Sequence, residues 1–185
     1  MKSTKQLHQK LINQCKNNNT KAQMQLYNLY CNAMFLVANR YVKDRFIAED
    51  AMQDAFIKAF KNLDSYKGEV SFGAWLKRIV INQCIDELKK KKLTMVSLNE
   101  EVTNVIEDDN WEVESEVTAT MVKKVIDELP EKYRLVVTLY LVEGYDHKEI
   151  SEILNISEVT SRTHLLRGKK IVKEQLKSMS YAEGY

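Results

Sequence analysis

The sequence predicts an all-α protein of two small helical domains joined by an acidic linker, the first over residues 1–92, the linker over 93–118 and the second over 119–185. Three observations carry that prediction. Apolar residues recur near helical spacing through both ends of the chain. The 185 residues include only 5 Gly and 1 Pro and are rich in Leu, Lys, Glu, Ile, Ala and Met, which favours helices with short connections. Between the periodic parts, residues 93–118 contain neither Lys nor Arg and show no period. No segment reads as a strand, and 44% hydrophobic content is enough for a core in each domain.

Taken in order, the first helix runs from Lys21 to about Arg40, with Met24, Tyr27, Leu29, Tyr30, Met34, Phe35 and Ala38 as its apolar positions. A second follows from Ile47 through Ala51, Phe56, Ile57 and Phe60, and the two should pack together. The polar loop "NLDSYKGEV" leads to Ser71, a plausible N-cap for the helix "FGAWLKRIVINQCIDELKKKK". On that helix Phe72, Trp75, Leu76, Ile79 and Val80 share one broad face, while Arg78, Asn82 and Lys89 fall along another. Beyond the linker, Met121, Val122, Val125, Ile126 and Leu129 mark a helix that Pro130 ends, itself taking the N1 position of the next. Helices over 131–143, about 147–154 and about 158–176 follow, separated by "EGYD" and "NIS".

The last two of these read as a helix-turn-helix. Asp146 with Glu149 three residues on is a capping pattern, and Ile150, Ile153 and Leu154 supply an apolar face. Asn155 suits the left-handed conformation of a tight turn, and Ser157 caps a second helix that carries Thr160, Ser161, Arg162, His164, Arg167, Lys169 and Lys170 on solvated positions. Hydroxyl and basic groups near the N-terminus of such a helix can meet base edges and phosphates in a major groove. Two amphipathic helices around an Asn turn also occur in bundles that never touch DNA.

Charge points the same way. Residues 1–92 hold 17 Lys/Arg against 8 Asp/Glu, so the first domain is basic and suits a polyanionic partner. The linker carries Glu100, Glu101, Glu107, Asp108 and Asp109. Around the third helix, Lys61, Asn62, Ser65, Tyr66 and Lys67 place aromatic and basic groups beside the stripe of Arg78 and Asn82. That combination fits single-stranded nucleic acid, where cations track phosphates and each stacked base contributes about 1–3 kcal/mol. Trp75 reads first as a core anchor, and Lys89 to Lys92 as phosphate contacts or a solvated helix end.

Other classes are disfavoured. No run of apolar residues is long enough to span a bilayer and the N-terminal stretch lacks the apolar region of a secretory signal, so an integral membrane segment is not expected and the cytoplasm is. Cys15, Cys31 and Cys84 lack disulfide or zinc spacing and read as small apolar residues. No Gly-rich phosphate loop, metal-ligand cluster or nucleophile pattern suggests an enzyme, a metal or a cofactor.

Two long stretches carry a family likeness. "AEDAMQDAFIKAFKNLDSYKGEVSFGAWLKRIVINQCIDELKKKK" and "IDELPEKYRLVVTLYLVEGYDHKEISEILNISEVTSRTHLLRGKK" contain, in order, AED, FxxWLxRI with Asn82 and Asp86, LPxxxR and EGYxxxEIxxILxIS. Over residues 21–92 and 119–177 the chain thereby resembles the bacterial extracytoplasmic-function sigma factors. The resemblance implies that Asp50, Gln53, Asp54 and Phe56 bind the β′ clamp helices of core RNA polymerase. It places Lys61, Asn62, Tyr66, Lys67, Ser71, Trp75, Arg78 and Asn82 at the −10 element, where the strands open. Ser157, Thr160, Ser161, Arg162, His164, Arg167 and Lys169 fall at the −35 element, with the second domain near the β flap. It also implies passage of the acidic linker through a positively lined channel, although soluble linkers are often acidic, and an anti-sigma factor as a further partner. At most roughly 85–95 Å of linker can be drawn out, against roughly 70–85 Å for 20–25 base pairs. Val159 and Ser161 depart from the Gly and Val common in the family, and Gly168 from its Ala. Two other readings stay open: a dimeric helix-turn-helix regulator acting without polymerase, and a helical module that binds protein but no DNA.

Overall fold

The computed structural model describes residues 7–93 and 118–182, with the side chains of 92–93 and 180–182 left aside. The chain divides into two compact units, Met1–Ser97 and Leu98–Tyr185. Among the described residues all regular structure is helical. The expected linker lies, except for its first and last residues, outside the described residues.

The first unit holds α1 (Gln9–Lys16), α2 (Thr20–Val42), α3 (Arg45–Lys61), a 3₁₀ turn (Leu63–Ser65) and α4 (Phe72–Leu93). Its centre is α3, whose buried Ala48, Ala51, Ala55 and Ala59 form a row of small residues that lets α2 and α4 approach closely. Leu26, Met34, Ala38 and Tyr41 are buried on α2, and Phe72, Leu76, Val80, Ile81, Cys84 and Ile85 on α4. Asp44 caps α3 by accepting from the Phe46 and Ile47 amides at 3.0 and 3.1 Å. Ser71 caps α4, as its sequence position predicts, by accepting from the Ala74 amide at 3.2 Å. Not anticipated was α1, which inserts Ile12 and Cys15 into the core and donates a hydrogen bond from Lys16 Nζ to the Tyr66 carbonyl at 3.3 Å. Met24, Leu29 and Ile57, expected in the core, are exposed instead, because α2 and α3 turn Leu26, Met34 and the alanine row inward.

The second unit holds α5 (Ala119–Glu128), α6 (Glu131–Val137), α7 (His147–Leu154) and α8 (Glu158–Ala182). Val125, Ile126, Leu129, Val136, Val137, Leu139, Ile150, Leu165, Val172 and Leu176 form its core. Pro130 stands at the N-cap of α6 rather than at N1: its ψ of 137° is extended, and its carbonyl accepts from the Tyr133 and Arg134 amides at 3.0 and 2.9 Å. The expected helix 131–143 is α-helical only to Val137. Over Thr138–Val142 it widens into a π turn, closed by the Glu143 amide on the Thr138 carbonyl at 3.1 Å. Gly144, at φ 78°, then turns the chain toward α7.

The helix-turn-helix elements form as their capping residues predict. Asp146 accepts from the Glu149 amide at 2.8 Å while Glu149 accepts from the Asp146 amide at 3.1 Å, a complete capping box. Asn155 takes φ 55° and ψ 52°, the left-handed turn, and Ser157 accepts from the Thr160 amide at 3.0 Å to start α8. Gly168 sits where α8 meets α6: a methyl there would lie 2.5 Å from Val137 Cγ2. The glycine lowers helix propensity but permits the close crossing of the two helices.

Candidate polymerase and nucleic-acid interfaces

On α3, Met52 and Phe56 are buried beside the alanine row, and the opposite side of the helix faces solvent. Asp50, Gln53 and Asp54 are exposed there, on the outer surface of the unit. The same outer face carries Phe46, 79% exposed, and Ile57, also exposed, so acidic and apolar groups alternate along it. Phe46 was not singled out from sequence; a phenylalanine one turn ahead of exposed carboxylates is the signal that was present. Phe56 does not belong to this face. It is 2% exposed, its ring tilted at 60° against Tyr27 with centroids 4.8 Å apart, and it lines a groove of about 360 Å³ between α2 and α3 with Met24, Ile57 and Phe60.

A second concavity, of about 340 Å³, opens between the end of α3, the 3₁₀ turn and α4. It brings together Asn62, Trp75 and Asn82, three of the expected strand contacts from separate parts of the sequence. Lys58, Ser65, Ile79 and Gln83 complete its lining. Gln83 is buried and fully used: its amide NH₂ donates to Asp54 Oδ2 and Glu87 Oε1, each at 3.3 Å, and its carbonyl accepts from Lys58 Nζ. Lys58 and Gln83 were not among the sequence candidates, because neither the charge nor the amide stands out until the two helices are set side by side.

Lys61, Lys67, Ser71 and Arg78 are exposed around this region without lining the cavity. Tyr66 is placed differently from its expected role. It is 4% exposed, within an aromatic cluster with Phe72 at 5.6 Å and Trp75 at 5.3 Å, and its hydroxyl donates to the Val70 carbonyl at 2.9 Å. Burial, with Tyr30 adding a smaller effect, pushes its phenol above the ordinary tyrosine value, so it stays a neutral donor that braces the loop. Trp75 is half-buried, its ring tilted against Tyr66 and Phe72, and it lines the cavity. At the basic end of α4, Lys90 is held by Glu87 at 2.7 Å, a bond that, with the carboxylate charge, raises the ammonium pKa.

In the second unit, Ser157 and Arg162 are exposed on the first turns of α8, and Thr160, Arg167 and Lys169 are half-buried. Arg162 Nη2 donates to Glu158 Oε2 at 3.0 Å, so its guanidinium is already paired within the helix. Ser161 and His164 are turned inward, at 0% and 8% exposure. Ser161 stands one turn ahead of Leu165 and His164 immediately before it, on the side of α8 that packs on α6 and α7, and they therefore cannot present their side chains to a groove. His164 meets the Tyr133 ring edge-on at 5.5 Å, and Ser161 Oγ lies 2.8 Å from His147 Nδ1.

Among the described residues no group of three His, Cys, Asp or Glu could hold a metal ion, and no helix is long and apolar enough to cross a membrane.

Residues 26–94 match the family model of Sigma-70 region 2, and residues 119–172 that of Sigma-70, region 4. The chain is 32% identical over 184 residues to the ECF RNA polymerase sigma factor SigW of Bacillus subtilis, covering 92% of this chain and 97% of that protein. It is 27% identical over 164 residues to the ECF RNA polymerase sigma-E factor of Escherichia coli K12, covering 81% and 84%. Its fold is similar to that of the sigma factor RpoE solved with the anti-sigma factor NepR from Bartonella quintana, with a TM-score of 0.50 at 22% identity over 83% of this chain and 96% of that one. With both sigma regions in order and a full-length relative at this identity, the chain belongs to the ECF RNA polymerase sigma factors, which act in promoter recognition and transcription initiation.

Proposed function

We propose that the labour of initiation is divided among three surfaces. The exposed face of α3, with Asp50, Gln53 and Asp54 joined by Phe46 and Ile57, docks on the β′ clamp helices of core RNA polymerase in the cytoplasm. The cavity of Asn62, Trp75 and Asn82, ringed by Lys58, Lys61, Lys67, Ser71 and Arg78, holds the displaced strand of the −10 element. The first turns of α8, with Ser157, Thr160 and Arg162 and with Arg167 and Lys169 at the flank, read the −35 duplex while the second unit rests on the β flap. Residues 1–92, 93–118 and 119–185 act as core-and-−10 domain, acidic tether and −35 domain. An anti-sigma factor that covers the α3 face would silence the protein.

The observation that carries this reading is the cavity. Amides at Asn62 and Asn82 can hydrogen-bond base edges, Trp75 offers an aromatic ring, and Lys58 supplies a cation within one concavity. Extruding a base costs a few kcal/mol, which stacking of about 1–3 kcal/mol per base and phosphate contacts can offset. The test is transcription by purified core polymerase on a promoter library, with and without the chain, in parent, Asp54→Lys and Asn82→Ala forms. The expected result is a set of start sites that depend on the chain. Asp54→Lys should lose core binding, and Asn82→Ala should bind core normally yet open promoters poorly. Equal loss of both steps in Asn82→Ala would refute the cavity's role.

A further inference from the structure

The buried side chains on the first two turns of α8 are polar. Val172 and Leu176 grip the helix further along, and Leu165 and Gly168 hold its middle, but at the reading end the inward positions are Ser161 and His164. Ser161 has a single side-chain partner with a direction: His147 Nδ1 at 2.8 Å. His147 is the first residue of α7, half-buried, and its ring is stacked on Tyr140 of the π turn at 4.8 Å and 26°. One imidazole thus touches three elements, the π turn, α7 and α8.

We propose that His147 is a positioning residue for −35 recognition, its ring fixing the rotation of α8 through Ser161 and so aiming Arg162. The inference rests on the reading of α8 as the −35 helix. Successive residues on an α-helix are about 100° apart, so the bond that keeps Ser161 inward keeps Arg162 outward. A roll of ~15° about the axis moves a group ~6 Å from that axis by about 1.5 Å. That exceeds the window of about 0.5 Å within which hydrogen bonds to a base edge hold their strength. With no large apolar side chain buried on α8 ahead of Leu165, the His147 to Ser161 bond, with His164 packed edge-on against Tyr133, resists such a roll at the reading end. Tyr140 holds the ring itself, which ties the aim of α8 to the π turn.

The experiment measures −35 discrimination by the full chain with core polymerase, as the ratio of activity on a parent promoter to that on −35-substituted promoters. His147→Phe keeps the stack on Tyr140 and loses the bond; Ser161→Ala loses it from the other side with little change of volume. Each should lower discrimination about 2- to 10-fold, the range of one net hydrogen bond, and the double variant should match the singles because both remove the same bond. His147→Asn, whose amide nitrogen reaches the place of Nδ1, should recover most of the loss. Affinity for nonspecific duplex and opening of a premelted −10 template should stay at parent levels. The proposal is overturned by unchanged discrimination in Ser161→Ala, by losses that multiply in the double variant, or by a loss that falls equally on nonspecific DNA. Arg162→Ala separates the two levels. If it lowers discrimination while Ser161→Ala does not, the positioning role alone falls; if neither does, the reading of α8 falls with it.

Discussion

Replacing Gly168 by Ala should destabilise the second unit although it improves the helix. Alanine is favoured over glycine in a helix interior by about 1 kcal/mol. Against this, the new methyl would stand 2.5 Å from Val137 Cγ2, 3.4 Å from Tyr133 Cβ and 3.7 Å from the Tyr133 carbonyl oxygen. None of these can step aside. Val137 is fully buried and β-branched, with one strongly preferred rotamer in a helix, and the Tyr133 atoms belong to or adjoin the α6 backbone. The helices must therefore part, and overpacking of this kind costs about 1–3 kcal/mol. The overlap outweighs the propensity gain, leaving a net loss of about 1 kcal/mol, which lowers the melting midpoint of a unit this size by about 4–8 °C. Thermal unfolding followed by circular dichroism would read the shift, and hydrogen exchange of the slowest α8 amides would assign it to this unit. Val137→Ala removes the obstructing methyls, so Gly168→Ala on that background should show a favourable coupling of about 1 kcal/mol. A Gly168→Ala variant more stable than the parent, or strict additivity with Val137→Ala, would refute the close-crossing argument.

Four further outcomes are expected. Burial, with the Glu87 charge adding and a backbone hydrogen bond opposing, pushes the Cys84 thiol from 9.0 up to about 12; alkylation at pH 8 read by mass spectrometry should modify half-buried Cys31 first and spare Cys84 until the unit unfolds. Because the folded pKa is raised, the protonated thiol contributes stability in full below about pH 9 that is lost as pH rises toward 12, and unfolding midpoints measured over that window should fall. Asn155→Ala keeps the β-carbon in the left-handed turn but removes the short polar side chain that lets Asn tolerate it, and should cost about 1–2 kcal/mol in urea unfolding, whereas Asn155→Gly should stay within a few tenths. Glu158→Gln frees Arg162 from an exposed pair worth about 0.2–1 kcal/mol, so −35 duplex affinity should rise about 2- to 5-fold in a fluorescence titration; an unchanged affinity would mean that Arg162 does not meet the DNA.

What the sequence shows of the fold follows the range of the forces involved. Ser71, Asp146 with Glu149, Asn155 and Ser157 act on amides within three residues of themselves, so their positions can be read without knowing the tertiary structure. The helix α1 has no such signature. Its eight residues are mostly polar, only Ile12 and Cys15 are buried, and a helix this short takes its stability from packing that local pattern does not record. The π turn is hidden for a related reason: "LVVTLYLV" presents the same apolar run whether the carbonyl of Thr138 is met by the fourth residue on or by the fifth. Pro130 differs by a single position, since both N-cap and N1 tolerate a missing amide and only its extended ψ separates them.

The candidate sites were legible where exposed charge marks them and illegible where burial runs against residue type. Asp50, Gln53 and Asp54, the surface lysines and Arg162 stand outward as polar residues should. Ser161, His164 and Gly168 look like surface or loop residues, yet they continue inward the series Leu165, Val172 and Leu176 at steps of three and four. The spacing carried that information; the residue types masked it. Phe46, Leu36 and Ile57 invert the pattern, being large and apolar on outward positions of α2 and α3. Both departures break the rule that polar faces water and apolar faces core, and each has a physical reason. Small or polar residues inside α8 allow a close crossing and a directional bond that apolar packing does not provide, while apolar residues outside α3 leave surface for a partner to bury. A helix read by its hydrophobic pattern alone is therefore misassigned at such positions, and on the proposed roles the exchange of Ser161 or Phe46 should alter recognition more than folding.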